Sequence, residues 1–315
     1  MPAIKPPVVF IMGPTASGKT DLAVHLAATD QFEIISVDSA MIYRGMDIGT
    51  AKPGPEVLDA APHHLINIRN PDENYSVSEF CDDANQLINK IHARQKIPLL
   101  VGGTIMYFNS LHFGLSALPS ADPEIRERLN QQAAQAGWDN LHQQLAQCDP
   151  ESAAKIHPHD AQRIQRALEV YEISGTPISA FQQASKKARN DINIINFGLF
   201  PENRRYLHEL IEKRFDQMLA MGVLKELEDL KASWPLTADL PSMRCIGYRQ
   251  LWNFLENKCS YNEMRDQAIA ATRQLAKRQL TWMRHYPETR IFDPFESSCK
   301  EMGSKIISQL PGSNW

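Results

Sequence analysis

Short hydrophobic runs alternate with helical stretches along the first hundred residues of the chain. Runs with β character cover 8–12, 33–38 and 97–101, and helical stretches cover about 18–28 and 78–94. Strands that alternate with helices favour a parallel sheet, because a helix usually returns the chain to its starting edge. The run at 97–101 has no polar position, as expected of a strand buried on both faces. We therefore predict an α/β core.

The pattern changes after about residue 117. The next segment is rich in Gln and Ala, has helical periodicity and gives no strand signal. Asp122 followed by Pro123 is typical of a helix start. A second helix is predicted at 160–174, ended by Gly175. We predict that 118–190 forms an all-helical domain inserted into the core.

Strand character returns at 192–200, where the run INIINFGLF is predicted to rejoin the sheet. The remainder is mostly helical over 202–287, and 298–315 looks like a weak tail. The core is therefore predicted to combine residues 1–117 with residues 191–315.

Composition excludes several classes of protein. The hydrophobic content of 43% suits a globular core, and no apolar stretch approaches bilayer length or forms a secretory signal. The five cysteines are scattered, with no CxxC pair, so we expect neither a disulfide framework nor a zinc site, and a cytoplasmic location fits best. A net charge of −4 does not by itself indicate a nucleic-acid partner, but basic residues concentrate locally.

A complete phosphate-binding motif, GxxxxGK[ST], follows the first strand. It consists of Gly13, Pro14, Thr15, Ala16, Ser17, Gly18, Lys19 and Thr20. The glycines let backbone N–H groups turn around an anion, and the helix that follows adds its positive end. Lys19 supplies a charge for the terminal phosphate and Thr20 a hydroxyl for Mg²⁺. The motif predicts a P-loop NTPase-like parallel sheet that binds a diphosphate or triphosphate.

Two other predicted strands end in residues that could join this site. Asp38 follows the second strand, and Thr104 follows the third within a Gly-Gly-Thr turn. Ligands of parallel α/β sheets bind outside the carboxyl ends of the strands. Asp38 could hold Mg²⁺ through water or act as a general base, but it could also only cap a helix. The polar loop at 41–54 looks like a binding loop.

Clusters of cations mark three later segments. Arg163 and Arg166 share one face of a predicted helix, and a second helix carries a stripe of three cations. The members of that stripe are Arg273, Lys277 and Arg284. The segment 244–249 places two arginines around a Gly and a Tyr, which suits phosphate contact beside an aromatic platform. Each cluster taken singly is more often a solvated helix face.

Two other functions share part of these features. A small-molecule or nucleotide kinase that uses ATP would need the loop and the aspartate, but not the later cations. A non-catalytic RNA-binding NTPase would not need Asp38 at the phosphate site. The NKxD, HRD and DFG signatures are absent from the sequence.

Seven segments together resemble one family. In chain order they are GPTASGKT, DSAMIYRGMDIGTAKP, PHHLINI, VGGTIMYF, HDAQRIQRALEV, RCIGYRQ and TRQLAKRQLTWMR. Their order is that of the tRNA dimethylallyltransferases, also called tRNA isopentenyltransferases, and the likeness spans about 8–285. It points to bacterial members, because the zinc finger of eukaryotic members has no counterpart here.

The resemblance implies a prenyltransferase that moves a dimethylallyl group from dimethylallyl diphosphate to N6 of adenine 37, in tRNAs that read UNN codons. The phosphate loop would then hold the diphosphate, together with Mg²⁺ and Arg214. Asp38 is implied as the general base, and Thr104 as a group near the bridging oxygen or the tRNA. Lys19 would stabilise the charge that builds on the departing diphosphate. A monomer that binds the anticodon stem-loop and no membrane is expected.

The same resemblance implies a set of contacts with tRNA. They are Asp38, Ser39, Ala40, Met41, Thr104, Arg126, Gln162, Arg163, Ile164, Gln165, Arg166, Arg244, Cys245, Ile246, Gly247, Tyr248, Arg249, Lys277, Arg278, Gln279, Leu280, Thr281, Trp282, Met283 and Arg284. Several of these residues belong to the cation clusters found from the pattern alone, which favours an RNA groove over solvated faces. The adenine must leave its stack to reach the diphosphate.

Overall fold

The structure is a computed structural model that describes residues 5–116, 118–184 and 191–310. The chain divides into two compact units. The first unit combines Met1–Phe108 with Asn190–Trp315, and the second is Asn109–Arg189. The second unit therefore begins inside the helix that follows the 97–101 strand, ahead of the predicted boundary at 118.

The elements follow one another with short connections through most of the chain. In chain order they are β1 Pro7–Met12, α1 Lys19–Ala27, β2 Phe32–Val37, α2 Pro55–Ala60, β3 His63–His64, α3 Val77–Ala93, β4 Ile97–Gly102, α4 Ile105–Phe113, α5 Pro123–Ala136, α6 Trp138–Cys148, α7 Pro150–Lys155, α8 Ala161–Ser174, α9 Ile178–Ala184, β5 Asn193–Leu199, α10 Arg204–Ala220, α11 Val223–Ser233, α12 Tyr248–Leu255, α13 Tyr261–Arg284, β6 Arg290–Phe292 and α14 Cys299–Ile307.

Within the described residues, the strands form one sheet in the order β3-β2-β4-β1-β5-β6. Every neighbouring pair is parallel. The α/β prediction is confirmed, as are the four predicted strands. The sequence pattern missed β3 and β6 because they contain two and three residues, too few to show a period. Strands β1 and β4 are buried along their whole length, as predicted for IPLLV.

The core of the first unit lies on both sides of β1. One cluster packs α1 against the sheet through Leu22 and Leu26, and it includes Met302 and Ile306 of α14. The prediction of a weak tail after 298 is therefore wrong for this helix. Its apolar side covers α1, and Ser298 and Glu301 form a capping box that fixes its start.

A second cluster joins the C-terminal helices to the 41–54 loop. Ile42, Tyr43 and Met46 of the loop are buried among residues of α10, α11, α12 and α13. The loop is therefore packed along its first half, and its role as a binding loop stays a prediction. No helix in the described part of the chain is long and apolar enough to cross a membrane.

The second unit is helical throughout its described elements, from α5 to α9. Asp122 caps α5 and Asp160 caps α8, and Gly175 ends α8 in the left-handed conformation at φ 68°. Ile164 and Leu168 are buried in its core, as the spacing predicts. Tyr171 follows Ile164 and Leu168 at helical spacing and would complete an apolar face, but it is 36% exposed.

Candidate active site

The phosphate loop connects β1 to α1 in the predicted order. Gly18 precedes α1 with φ 76°, a left-handed conformation that favours glycine. Gly13 is required for a different reason, since a Cβ there would lie 2.7 Å from Oγ of Ser17. The Ser17 hydroxyl in turn donates to the carbonyl of Pro14 at 2.8 Å, which holds the loop in a compact turn.

Lys19 folds back onto its own loop. Its Nζ donates to the carbonyl of Pro14 at 2.5 Å and lies 3.5 Å from Oγ of Ser17. Burial, reinforced by the charge of Arg214 and opposed by Asp38, lowers the pKa of Lys19 to about 7. An ammonium group in this state gains from any anion that enters the loop.

Arg214 of α10 is the second cation of the site. Burial lowers the pKa of Arg214 from its usual value, while Asp38 and Asp21 act in the opposite direction. Its guanidinium makes no hydrogen bond or ion pair with the described part of the chain. Two cations without a carboxylate partner therefore face the loop, an arrangement that suits a polyanion.

Asp38 follows β2 in a turn instead of capping a helix. Its Oδ1 accepts hydrogen bonds from the N–H groups of Ala40 and Met41, at 2.8 and 3.2 Å. The next six residues contain no helix, so the capping interpretation is wrong. The two N–H groups fix the carboxylate, while Oδ2 makes no protein hydrogen bond within the described residues. This oxygen is available to a proton donor.

Thr104 lies beside that turn, as expected of neighbouring strand ends. Its backbone N–H donates to the carbonyl of Val37 at 3.2 Å, and its Oγ1 accepts from the N–H of Ser39 at 3.2 Å. Strands β2 and β4 are paired with Val37 opposite Gly102, which brings the two turns together. The sheet register therefore unites the phosphate loop, Asp38 and Thr104 at one edge.

Thr20 is a half-buried residue in the first turn of α1. Its hydroxyl makes no side-chain hydrogen bond in the described chain. Mg²⁺ usually takes one or two protein oxygens and completes its shell with water and phosphate oxygens. The donor set at the loop fits this pattern, and the described residues contain no cluster of His, Cys, Asp or Glu that would form an all-protein cage.

Gln279 of α13 is a member of the site that sequence reasoning placed elsewhere. The 277–284 segment was expected to contact tRNA, yet this side chain bonds the backbone of Thr15 and Gly103. Its place on a helix rich in cations suggested an exposed face. The only usable signal was the helical period, because Ala276, Leu280 and Met283 are apolar and lie on the same side.

The rest of that α13 segment is divided between core and surface. Leu280 and Met283 are buried, whereas Trp282 is 56% exposed. Lys277, Arg278, Thr281 and Trp282 line one shallow recess with Gln274. Arg284 is exposed and lies over the ring of Phe200, 5.1 Å from the ring centre.

The cation stripe predicted on α13 is interrupted at its first member. Arg273 donates to Glu212 of α10 at 2.7 Å and to the carbonyl of His208. Since this guanidinium already has a carboxylate, it serves the packing of α13 on α10. Lys277 and Arg284 remain on the exposed surface of the helix.

The segment 244–249 does not supply an aromatic platform. Tyr248 is fully buried and donates its hydroxyl to Glu226 at 2.5 Å, so no ring face is open to a base and that interpretation is wrong. Arg244 and Arg249 are exposed, and Arg244 pairs with Asp239 at 3.3 Å. Burial, with a smaller effect of Asp38, raises the pKa of the Cys245 thiol to about 12.

The remaining members of that segment, Ile246 and Gly247, form the turn before α12, where Gly247 has φ 94°. Ser39 is exposed, and Ala40 and Met41 are half-buried. Every contact with tRNA predicted for these residues stays a prediction.

The second unit holds the other predicted RNA contacts. Arg126 and Arg166 both bond the fully buried Glu169, at 2.7 and 2.6 Å. The side chain of Arg163 is 72% exposed, and Asp160, at 3.3 Å, is its one ion-pair partner among the described residues. Gln162 is exposed, whereas Ile164 is fully buried. Gln165 donates to the carbonyl of Arg126 and to Asn130.

Burial opposes ionisation of Glu169, but hydrogen bonds from Arg126, Arg166 and the N–H of Asp122 hold the pKa of this carboxyl below its usual range. The two arginines neutralise a buried charge and are therefore structural in this unit. Arg163, whose exposed side chain pairs with Asp160 at the surface, is the cation of this group that is most accessible to an external anion.

Known proteins that are similar to this chain in sequence or fold point to one family. The family profile described as IPPT: IPP transferase matches residues 41–286. A tRNA dimethylallyltransferase of Legionella pneumophila (strain Paris) is 54% identical over 286 residues, covering 91% of each chain. One from Coxiella burnetii (strain Dugway 5J108-111) is 51% identical over 307 residues, covering 98% of each chain.

Solved structures agree with this similarity. The tRNA isopentenylpyrophosphate transferase of Bacillus halodurans matches with a TM-score of 0.70 at 37% identity, covering 96% of each chain. A eukaryotic dimethylallyltransferase acting on tRNA matches with a TM-score of 0.80 at 26% identity, covering 97% of this chain and 80% of the other. The P-loop NTPase-like core predicted from the motif is confirmed by these neighbours. The chain therefore belongs to the IPP transferase family.

Proposed function

We propose that this chain transfers a dimethylallyl group from dimethylallyl diphosphate to N6 of adenine 37 in tRNAs that read UNN codons, and releases diphosphate. The observation that carries the proposal is the pair of half-buried cations, Lys19 and Arg214, beside Asp38, a carboxylate with one oxygen that bonds no described residue. The names of the relatives support the transfer of dimethylallyl to tRNA. We further propose that the enzyme acts in the cytoplasm as a monomer.

The diphosphate end of the reaction falls to the phosphate loop. As the C1–O bond breaks, negative charge builds on the oxygen that leaves with the diphosphate. Lys19 would turn from the carbonyl of Pro14 to this charge, joined by Arg214 and the loop N–H groups. Preorganised cations in a site removed from water stabilise such charge more strongly than solvent does.

The adenine end falls to Asp38. The N6 amine attacks C1, so one N–C bond forms as the C1–O bond breaks, and the amine must lose a proton. Oδ2 of Asp38 would accept that proton, while the N–H groups of Ala40 and Met41 hold Oδ1 in place. Thr104 would stand near the bridging oxygen or the tRNA, steadied by the N–H of Ser39.

Mg²⁺ is proposed as the cofactor, with Thr20 as its protein ligand. When bound, the ion would neutralise part of the charge of the diphosphate. Thr20 suits this role because its hydroxyl lies in the first turn of α1, next to Lys19.

The anticodon stem-loop is proposed to contact exposed cations of the chain. The candidates that the structure leaves accessible are Arg163, Arg244, Arg249, Lys277, Arg278 and Arg284. Trp282 offers an exposed ring on which a base could stack.

Loss of the exposed Arg163 should weaken tRNA binding and make that binding less salt-dependent. Loss of Arg166, which pairs with the buried Glu169, should instead lower the stability of the fold.

The kinase alternative shares the loop and Asp38, but the relatives do not favour it. One assay separates the two functions. The protein is incubated with Mg²⁺, a UNN-reading tRNA transcript and either dimethylallyl diphosphate or ATP. The tRNA is then digested, and N6-modified adenosine is detected by mass spectrometry. Product with the prenyl donor alone supports the proposal, and its absence with folded protein contradicts it.

The base assignment has its own test. Asp38→Asn keeps an oxygen for the N–H groups of Ala40 and Met41 but removes the proton acceptor, so we expect the rate to fall by about a hundredfold or more. Asp59→Ala, an exposed change on α2, is the matched control. A near-normal rate for Asp38→Asn would remove Asp38 from the role of base.

A further inference from the structure

Gln279 joins the phosphate loop to the turn that follows β4. Its side chain is buried, with the residue only 8% exposed. Oε1 accepts a hydrogen bond from the N–H of Thr15 at 3.1 Å, and Nε2 donates to the carbonyl of Gly103 at 2.9 Å. One amide thus satisfies a backbone donor and a backbone acceptor from two strand ends, which no apolar side chain could do.

The turn leaves room for this amide only because residue 103 is glycine. A Cβ at Gly103 would lie 2.3 Å from Nε2 of Gln279 and 3.3 Å from the carbonyl oxygen of Gly13. Gly103 is not among the residues with positive φ, so its backbone conformation does not demand glycine. The close approach of the Gln279 amide does.

Hydrogen bonds continue from this amide to the proposed base. Gly103 is followed by Thr104, whose hydroxyl accepts from the N–H of Ser39 at 3.2 Å, and Ser39 follows Asp38. A path of bonds therefore runs from Thr15 in the phosphate loop through Gln279 to the turn of Asp38. Every residue of this path lies in the first unit.

We propose that Gln279 is a positioning residue for prenyl transfer, which sets the separation between the loop that holds the leaving diphosphate and the turn that carries Asp38. The inference rests on the proposed function. Displacement at C1 requires the attacking N6, C1 and the departing oxygen to be aligned, and an error of about 1 Å costs about a hundredfold in rate. Gln279 acts through Thr15 and Gly103 and touches no reacting atom.

This role differs from the tRNA contact that the resemblance implies for the segment. The amide faces the strand ends, whereas Lys277 and Arg278, its neighbours in sequence, are exposed. On α13, contact with RNA is therefore expected of these exposed cations, whereas the buried Gln279 amide holds the two strand ends in place.

Gln279→Met tests the proposal, because methionine keeps the length of the side chain and removes both hydrogen bonds. We expect kcat to fall by about 10- to 100-fold, while the Kd for tRNA, measured without prenyl donor, stays within about twofold. Gln267→Met changes the same residue type at an exposed position of α13 and should alter neither value. All variants are compared at a temperature where each is folded by thermal melting.

A double-mutant cycle with Gly103→Ala sharpens the test. In the parent, the new methyl group must displace the Gln279 amide, so the rate should fall as it does in Gln279→Met. In the Gln279→Met background the bond is already lost, and the same change should cost at least threefold less than it does in the parent. Fully additive effects would overturn the proposal.

Three further outcomes contradict it. Weaker tRNA binding at unchanged kcat would make Gln279 a direct RNA contact. A lower melting temperature at unchanged kcat would make it a purely structural residue. If the parent protein makes no prenylated tRNA, the proposed function fails. Calorimetry with inorganic diphosphate and Mg²⁺ then tests the positioning role of Gln279 separately. Gln279→Met must then weaken diphosphate binding where Gln267→Met does not, and equal affinities overturn the proposal.

Discussion

Lys19 and Arg214 are two cations of one site, and no carboxylate in the described part of the chain bonds to either. Burial lowers the pKa of both side chains, and the charge of Arg214 lowers that of Lys19 further. The arrangement destabilises the empty site and stabilises a bound polyanion, since an anion removes the repulsion and replaces the lost water. Sites shaped for function commonly reduce stability in this way.

The first prediction concerns the pH dependence of stability at Lys19. The native pKa of about 7 lies below the 10.5 of free lysine, so the unfolded chain binds the proton more tightly. The destabilisation is full below pH 7 and declines as the pH rises towards 10.5. Lys19→Met should therefore be more stable than the parent at pH 6, with a gain that shrinks by on the order of 2 kcal/mol by pH 9.

Urea denaturation at several pH values measures this gain. Lys90→Met is the control, because Lys90 is an exposed lysine of α3. A gain that is constant between pH 6 and pH 9, or equal for both variants, would show that Lys19 is not charged and buried as described.

The arginines of the second unit show that the sequence does not predict which cations pair with a carboxylate and which stay exposed. Arg163 and Arg166 are three residues apart on one helix and looked equivalent. Arg166 bonds Glu169, which is fully buried, whereas Arg163 faces solvent. Glu169 also accepts a hydrogen bond from Arg126 of α5, 43 residues away in the sequence. Helical periodicity does not predict a contact between two different helices. The motif residues were predictable because their chemistry is local.

Among the elements, the 41–54 loop is fixed from outside itself. Glu226 of α11 accepts hydrogen bonds from the N–H groups of Asp47, Ile48 and Gly49, at 2.9, 2.7 and 3.1 Å. Tyr248 of α12 donates to the same carboxylate. One side chain thus anchors the loop that begins at the proposed tRNA contacts, so α11 contributes to the site at a distance.

The second prediction concerns this anchor. Glu226→Ala removes the acceptor of three backbone N–H groups and one hydroxyl, and should destabilise the protein by about 3 kcal/mol. The N–H groups of residues 47–49 should then exchange with deuterium faster, since they lose their partner. Hydrogen exchange followed by mass spectrometry measures both the local and the global change.

Glu228→Ala is the matched control, because Glu228 is exposed on the same helix. Unchanged exchange at 47–49 in Glu226→Ala would mean that the loop is held by its buried residues, Ile42, Tyr43 and Met46, and not by the carboxylate.

Long elements followed from the sequence and short ones did not. The four predicted strands and the α8 helix have clear periods and caps, and the structure places each within one or two residues of its predicted bounds. β3 pairs through Ile34 with His63 and Ile35 with His64, a match decided by packing between distant segments. The contacts of the Gln279 amide could not be predicted for the same reason, since its partners lie 264 and 176 residues away in the sequence.

At the scale of the whole chain, the last helix completes the core begun by the first. α14 packs on α1, and Gly303 allows a close approach, because a Cβ there would lie 2.9 Å from Cδ2 of His25. Met302 and Ile306 of α14 are buried in the cluster that includes β1. Helix α14 is therefore part of the fold that supports the phosphate loop.

The third prediction tests this closure. Ile306→Ala should destabilise the protein by about 2–5 kcal/mol, as expected for a large residue truncated in a packed core. Lys300→Ala, an exposed change on the same helix, should have little effect. Thermal and urea unfolding measure the stability of the two variants. An equal, small loss in both would show that α14 is the weakly attached tail predicted from the sequence.

The order of strands also bears on how the protein is made. β1 pairs with β4 on one side and with β5 on the other, and about 90 residues separate β4 from β5 along the chain. At about 5–20 residues per second, a ribosome takes on the order of 5–20 s to supply them. During that interval one edge of the most buried strand has no partner, and the nascent chain exposes it to chaperones or to other copies of itself.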